Sequence, residues 1–365
     1  MKDPRFFVEL FTYSILTFLI FLALERPFYR FFKDNEFVQK IRENAVDGKK
    51  AKLFRALHIK KQGTPTMAGV MIWLSVLIVV LLSRFLSFFG FIDQSLLQRG
   101  EVYLPLFTLV AVGILGAVDD WWNIKEIGKK KGIEAGPKFF FLTFFAVLSA
   151  IWFYFKLGYT EFNIPLVGTY DIGILMFPLI VFVILAASNA VNITDGLDGL
   201  AGGILVQNFA IFGAIAFVNE QFFLAIFCGL IMATLFAFLW FNVPPAKFFM
   251  GDTGSLSLGA TLAIIASMTG TIAILPLTGF VFVFETLSVI IQLTSKKIFG
   301  RKVFLIAPIH HHFEKKGWSE PQIVMRFWII NGFVAVVAFI LHLFDKQGLL
   351  ILGEKLSTRQ SEAWG

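Results

Sequence analysis

The sequence predicts an all-α polytopic membrane protein with about ten transmembrane helices. Of its 365 residues, 57% are apolar and 16% are charged, which is more hydrophobic surface than a water-soluble domain of this length can bury. Apolar runs long enough to cross a hydrocarbon core of about 30 Å recur along the whole chain. Polar motifs are confined to the segments between these runs, so we expect a single membrane domain over residues 1–365 with its active site in loops.

The ten expected transmembrane cores follow one another from the N-terminus. They are Phe6–Leu24, Gly69–Leu86, Val102–Val118, Phe139–Phe155, Ile174–Ala190, Leu200–Val218, Phe222–Phe241, Leu256–Leu275, Leu277–Leu293 and Trp328–Phe344. The first run follows Lys2 and Arg5 in the manner of a signal peptide, but it is long and has no small-x-small cleavage site before Glu25. We therefore assign it to a helix of the mature protein.

The distribution of Lys and Arg predicts the orientation of these helices. Eleven such residues follow the first run, five follow the third and seven follow the ninth, whereas the even-numbered loops hold almost none. Because basic loops stay in the cytoplasm, we expect the odd-numbered loops inside and both termini outside. This topology also accounts for the net charge of +7, which therefore gives no reason to expect a nucleic-acid partner.

The positions of the other polar residues separate an enzyme from a transporter. Transporters place ionisable residues and broken helices near the middle of the bilayer. Here the main polar exceptions within the apolar runs are Glu285, His342, Gln207 and Asn208. Carboxylates, amides and imidazoles gather instead at helix ends on one side, which indicates chemistry at the cytoplasmic surface.

An acidic pair, Asp119 and Asp120, ends the third apolar run. Negative charge at a helix C-terminus opposes the helix dipole, so this placement favours a functional role over a merely solvated helix end. Adjacent helical residues point about 100° apart. We therefore expect the two carboxylates to have different roles.

A second polar cluster lies between the fifth and sixth runs, where Asn189, Asn192, Asp195 and Asp198 are spaced by three residues. This spacing places neighbours on one helix face, and the glycines that follow Asp195 and Asp198 permit a tight bend. A capped polar turn would explain one or two of these residues. The set of four predicts that two amides and two carboxylates converge.

The third cluster runs from Asn242 through Phe249 to Asp252 and leads into the eighth run. Free backbone N–H groups and the positive end of a helix dipole favour a phosphate at such a position. Asp252 could hold a hard cation beside it, although an N-capping role is the simpler alternative.

Two further clusters carry groups suited to phosphate. Three consecutive imidazoles, His310, His311 and His312, lie in the ninth loop, and no Cys or further His accompanies them as a zinc site would require. We interpret them as phosphate-contacting and positioning groups. Lys61 and Thr66 precede the second run, where a lysine supplies a point charge for a pyrophosphate.

These motifs resemble those of the phospho-N-acetylmuramoyl-pentapeptide transferase family, within the wider polyprenyl-phosphate N-acetylhexosamine-1-phosphate transferases. The matching segments are KKQGTPTMAG, GAVDDWW, NAVNITDGLDGLAGG, FFMGDTGSLSLG, FETLSVIIQ and APIHHHFEKKGWSEPQIVMRFW. They extend from about residue 58 to residue 330. The APIHHHFEKKGW segment is typical of the muramoyl-pentapeptide branch.

The resemblance implies a reaction and its participants. The expected donor is UDP-MurNAc-pentapeptide, the acceptor is undecaprenyl phosphate, and the products are lipid I of peptidoglycan synthesis and UMP. The enzyme would be a homodimer in the bacterial inner membrane and would use Mg²⁺. An N-acetylglucosamine-1-phosphate transferase is the alternative within the superfamily, and transfer in one step or through a covalent phospho-enzyme on Asp119 both stay open.

The resemblance also implies roles for individual residues. Asp252 would be the Mg²⁺ ligand, Asp119 would orient or deprotonate the lipid phosphate with support from Asp120, and His310 would belong to the catalytic centre. Substrate binding would involve Lys61, Thr66, Asn189, Asn192, Asp195, Asp198, Asn242, Phe249, Gln292, His311 and His312. Phe249 would stack on the uracil ring.

Overall fold

The structure, a computed structural model, describes residues 4–38, 61, 63–98, 100–125 and 135–363. Most basic residues of the first loop, from Lys40 to Lys60, and Lys129–Lys131 of the third loop lie outside these residues. The α-helices of the described chain are α1 Pro4–Asp34, α2 Gly69–Phe88, α3 Tyr103–Ile124, α4 Ala135–Ile151, α5 Met176–Thr194, α6 Leu200–Val218, α7 Phe222–Asn242, α8 Gly251–Met268, α9 Leu275–Thr278, α10 Phe280–Phe299, α11 Ile309–Lys315 and α12 Glu320–Ala363.

The expected fold class is confirmed, because the described chain is an all-α polytopic membrane protein. Eight of its long helices are apolar enough to span a bilayer, namely α1 to α7 and the first part of α12. The pair formed by 272–278 and α10 gives a ninth span if it is counted as one bent helix. Helix α8 occupies the place of the eighth expected segment, at the centre of the bundle.

Helix α8 is enclosed by protein along nearly its whole length. All of its residues from Thr253 to Met268 are buried, and α3 and α5 pack along it. A Cβ atom on Gly259 would lie 2.6 Å from the carbonyl oxygen of Ala187 in α5. Small residues at such contacts allow helix backbones to approach closely within a membrane.

Two boundaries predicted from the sequence are wrong. The eighth helix ends at Met268 and does not extend to Leu275, because Gly270 adopts a left-handed conformation with φ of 68°. The ninth apolar run is not one straight helix, because it bends by 82° between 272–278 and 280–299. Asn331 of α12 holds both sides of this break, since it donates to the carbonyl oxygen of Thr278 at 3.0 Å and accepts the N–H of Val281 at 3.2 Å.

A two-stranded hairpin, which the sequence analysis did not predict, connects α4 to α5. Strand β1, Glu161–Ile164, pairs antiparallel with β2, Gly168–Asp171. Asp345 of α12 fixes the hairpin, because its carboxylate accepts hydrogen bonds from Asn163 Nδ2 at 2.9 Å and from the Leu166 N–H at 3.0 Å. The part of α12 around Asp345 therefore lies beside the hairpin, on the face opposite the polar motifs.

The close approach of α3 to the start of α8 generates a stability prediction. A Cβ atom on Gly116 would lie 2.4 Å from the carbonyl oxygen of Asp252, so Gly116→Ala must push two helix backbones apart. We expect a loss of about 1–3 kcal/mol in the free energy of unfolding, measured as thermal stability in detergent. Gly136→Ala is the matched control, because its Cβ would meet nothing within 4 Å. Equal stability of the two variants would contradict the packing described here.

Candidate active site

Helix ends carrying the polar motifs meet around one cavity of about 400 Å³. This convergence follows from the alternating direction of the helices, because the ends of α3, α5 and α7 and the starts of α6 and α8 then share one face. Eleven of the fifteen site residues expected from the sequence line the cavity: Lys61, Thr66, Asp120, Asn192, Asp195, Asp198, Asn242, Phe249, Asp252, His310 and His311.

Asp252 lies in the first turn of α8 and joins three other helices. One of its carboxylate oxygens accepts a hydrogen bond from Asn192 Nδ2 at 2.7 Å. The other accepts from the ammonium group of Lys138, which also donates to Asp119 Oδ2 at 2.9 Å. Asp119 and Asp252 are therefore held together by one cation, at a point where α3, α4, α5 and α8 meet.

Lys138 is a site residue that the sequence analysis missed. It begins the fourth apolar run, where a lysine is explained by the positive-inside rule alone. Its partners lie 19 and 114 residues away along the chain. One signal in the sequence could have identified Lys138. The end of α3, which carries the acidic pair, and the start of α4, which carries Lys138, lie on the same membrane face because consecutive helices run in opposite directions.

Asp120 has a different environment from Asp119, as expected from their divergent directions. Its Oδ1 and Oδ2 atoms accept the backbone N–H groups of Asp252 at 3.1 Å and Thr253 at 3.0 Å. Asp120 thus satisfies free donors at the N-terminus of α8, where a negative charge also complements the helix dipole. Its placement at the end of α3 is explained by this contact with α8.

The loop after α5 brings Asp195 and Asp198 to the cavity. Gly199 has φ of 81°, and its N–H donates to Asn242 Oδ1 at 2.9 Å. Burial raises the pKa of Asp195 to about 7, and the negative charges of Asp252 and Asp198 contribute. Asn189, the first residue of the expected set of four, does not line the cavity and donates to the carbonyl oxygen of Leu185 in its own helix at 2.8 Å.

Lys61 forms a second ion-pair cluster at the cavity. Its ammonium group lies 2.6 Å from Asp198 Oδ1 and 2.5 Å from Glu320 Oε1. Burial alone would lower the pKa of Lys61, but the charges of Glu320 and Asp198 outweigh it and the pKa is raised. Glu320 is a second residue that the sequence analysis missed. It is the first residue of α12, and at this helix start Gln322 accepts the Ser319 N–H at 3.1 Å, as in a capping box.

Three further expected residues form the wall between α7, α8 and the entry to α2. Asn242 is buried, and its side-chain amide donates to the carbonyl oxygen of Phe248 at 2.9 Å. The ring of Phe249 lies 6.0 Å from the ammonium group of Lys61. Thr66 lies next to the start of α8, since its hydroxyl would be 3.1 Å from a Cβ atom on Gly251. An aromatic face, a cation and a hydroxyl therefore border the same space.

The three consecutive histidines lie on the short helix α11 and point to different surroundings. His310 and His311 line the cavity, whereas His312 faces away and accepts the Leu305 N–H at 3.2 Å. His311 Nδ1 lies 2.5 Å from Glu314. Gln292 is also outside the cavity wall, where it binds the backbone of Val303 and Phe304 at 3.0 Å. The roles of His312 and Gln292 in substrate binding stay predictions.

The donor set around Asp252 fits a divalent cation that also takes oxygen atoms from substrate and water. Among the described residues, no three His, Cys, Asp or Glu side chains are grouped as a closed metal site. Asp252 lines the cavity beside Asn192, and Asp119 is joined to it through Lys138. One or two carboxylates with open positions are typical of Mg²⁺ at phosphate-transfer sites.

A multi-helix membrane fold with carboxylates and a lysine lining one cavity of about 400 Å³ fits the class of membrane-embedded transferases. The model of the glycosyl transferase family 4 matches residues 102–270, the part of the chain from α3 to the end of α8.

Curated relatives identify the family more narrowly. The phospho-N-acetylmuramoyl-pentapeptide-transferase of Halalkalibacterium halodurans is 40% identical over 90% of this chain and 96% of its own length. The corresponding proteins of Chloroflexus aggregans and Pelagibacter ubique are 40% and 36% identical over 78% and 87% of this chain, and over 79% and 88% of their own lengths. The chain belongs to the phospho-N-acetylmuramoyl-pentapeptide-transferase family.

The raised pKa of Asp195 generates a prediction about pH. Above about pH 4 the unfolded chain ionises this carboxyl group, while the folded chain keeps it protonated up to about pH 7. The folded state then binds more protons, so this group lowers stability as the pH rises through that window. We expect Asp195→Asn to become increasingly more stable than the wild type from pH 5 to 7.5, in thermal unfolding with EDTA present. A stability difference that does not change with pH would contradict the assignment.

Proposed function

We propose that this enzyme transfers phospho-N-acetylmuramoyl-pentapeptide from UDP to undecaprenyl phosphate, forming lipid I and releasing UMP in peptidoglycan synthesis. The observation that carries the proposal is the cavity of about 400 Å³ that is lined by both Asp252 and Lys61. The relatives' shared name and their coverage of the chain support the substrate pair.

In the proposed reaction, a phosphate oxygen of the lipid attacks the sugar-linked phosphorus of the donor. The bond from that phosphorus to the bridging oxygen breaks, and this oxygen leaves with UMP. Both reactants are anionic, so the site must neutralise charge and hold the attacking and leaving oxygens in line. The positive dipole end of α8 contributes to this purpose, while the N–H groups of Asp252 and Thr253 are bound by Asp120 in the ligand-free protein.

Asp252 is the proposed ligand of Mg²⁺, with Asn192 and Asp119 orienting its surroundings. When bound, the ion would neutralise phosphoryl charge as a Lewis acid. Lys138 holds both carboxylates in the ligand-free protein, and it is the cation available to contact the attacking lipid phosphate when the ion takes its place at Asp252. Asp119 is joined to Asp252 through Lys138, and both a proton-accepting or orienting role and covalent attack stay open for it.

The remaining lining residues are proposed to bind the nucleotide. Lys61 would contact the diphosphate after leaving Asp198 or Glu320, and His310 and His311 would contact phosphoryl oxygens. Phe249 is the aromatic surface offered to uracil, with Lys61 at its face. Asp120, Asn242 and Asp198 bind backbone groups of neighbouring elements, so their contribution is to fix the shape of this pocket.

The cavity is proposed to face the cytoplasm of a bacterial inner-membrane protein, with both termini outside. Cysteine labelling at position 315 on α11 tests this, because the native Cys228 is buried; position 126, a second suitable site, lies outside the described residues. A Lys315→Cys variant should react with an impermeant reagent only in permeabilised cells. Labelling in intact cells would refute the orientation.

A homodimer is proposed through apolar helix faces away from the cavity. Support comes from the family resemblance and from large exposed apolar side chains such as Phe11, Phe85 and Phe182. Mass measurement in native-like bilayers tests the proposal. A fully active monomer would contradict it.

The metal assignment generates the sharpest activity prediction. Asp252→Asn keeps the shape of the side chain but removes its charge, so we expect turnover to fall by roughly three orders of magnitude, as for other lost electrostatic groups. UMP release is measured across a Mg²⁺ titration. Asn caps a helix about as well as Asp, so near-wild-type turnover with an unchanged Mg²⁺ midpoint would leave Asp252 only a structural role. Asp171→Asn, an exposed carboxylate on the hairpin, is the control and should be fully active.

A further inference from the structure

Glu285 is a buried carboxylate that the reaction described above does not use. It lies on α10, and its exposed fraction is 0%. A carboxylate inside an apolar helix bundle is costly unless a partner compensates its charge or accepts its hydrogen bonds. Its presence therefore calls for a specific partner.

That partner is His310. Glu285 Oε2 lies 3.0 Å from His310 Nδ1, and both side chains are almost completely buried. The backbone N–H of His310 is 3.5 Å from the same oxygen. Lone pairs on both atoms would repel each other at this ion-pair distance, so a hydrogen on Nδ1 is what makes the contact favourable.

The opposite edge of the imidazole faces the cavity loop. A Cβ atom on Gly196 would lie 2.6 Å from His310 Nε2 and 2.9 Å from Cε1, and both residues line the cavity. Among the described residues, neither ring nitrogen has a partner in hydrogen-bond geometry, so Nδ1 is in ion-pair contact with Glu285 and Nε2 has no polar partner. The ring is thus confined between Glu285 and the Gly196 backbone, with Nε2 beside the loop of Asp195 and Asp198.

We propose that Glu285 is a positioning residue that acts through His310. Its carboxylate fixes the direction of the ring, so that Nε2 is the atom presented to a phosphoryl oxygen of the nucleotide donor. With Nδ1–H held against the carboxylate, an imidazolium ring donates from Nε2 to that oxygen in a charge-assisted hydrogen bond. This inference rests on the transfer reaction proposed above.

A double-mutant cycle on UMP release tests the proposal. Loss of a group that orients a functional histidine typically costs about 10–100-fold in activity, so we expect Glu285→Gln to lower kcat by that factor. The KM for the UDP donor should change by less than about threefold. In a His310→Gln background, Glu285→Gln should cost less than about twofold, because the residue through which it acts is already gone. Equal losses in both backgrounds would overturn the proposal.

Ser288→Ala is the matched control on the same helix. Ser288 is buried, and its hydroxyl donates to the carbonyl oxygen of Glu285 at 2.7 Å, so the variant perturbs the same turn of α10 without touching His310. We expect its kcat to stay within about twofold of the wild type. A loss as large as that of Glu285→Gln would show that the effect is one of helix packing.

A measurement on the wild-type protein keeps the proposal testable if Glu285→Gln does not fold. With ¹⁵N-labelled histidine, the His310 signals are assigned by their absence in His310→Gln. We expect a protonated, hydrogen-bonded Nδ1, and a His310 with Nδ1 unprotonated would refute the role of Glu285. Absence of UMP release by the wild type would instead refute the proposed function, so the two failures are distinguishable.

Discussion

The N-terminus of α8 lies at the cavity, beside the ends of other helices, and this constraint organises the whole site. The first N–H groups of a helix have no partners within it, so another group must accept their hydrogen bonds. Asp120 does so from α3. Because Gly116 has no side chain, α3 can approach closely enough for this contact. Asp252, one residue into α8, is thereby fixed where the polar ends of three other helices meet.

Charge is balanced locally in the ligand-free site by two lysines. Lys138 holds Asp119 together with Asp252, and Lys61 holds Asp198 together with Glu320. A divalent cation or a phosphate that binds in the site would compete for these lysine–carboxylate ion pairs. When an anionic nucleotide binds with its metal, the carboxylates can therefore pair with the metal and the lysines with the phosphates. No buried charge is left without a partner.

The sequence was sufficient for features that depend on local composition and on helix direction. The apolar runs located the long helices. The predicted topology placed all the polar motifs on one side of the membrane, and from this we expected the motifs to converge. It was insufficient where a contact joins distant segments, as for Lys138, Glu320 and the pairing of Glu285 with His310. The bend at Gly279 was hidden within a continuous apolar run, and Asn189 had the right spacing but lies away from the cavity.

Anomalous scattering from crystals containing Mn²⁺ in place of Mg²⁺ tests the central claim most directly. If the start of α8 is the point on which the chemistry depends, a manganese peak will lie within coordination distance of the Asp252 carboxylate, with Lys138 moved from that oxygen. The peak will be absent from crystals of Asp252→Asn. A metal bound elsewhere in the cavity, or one retained when Asp252 is replaced, would contradict the account.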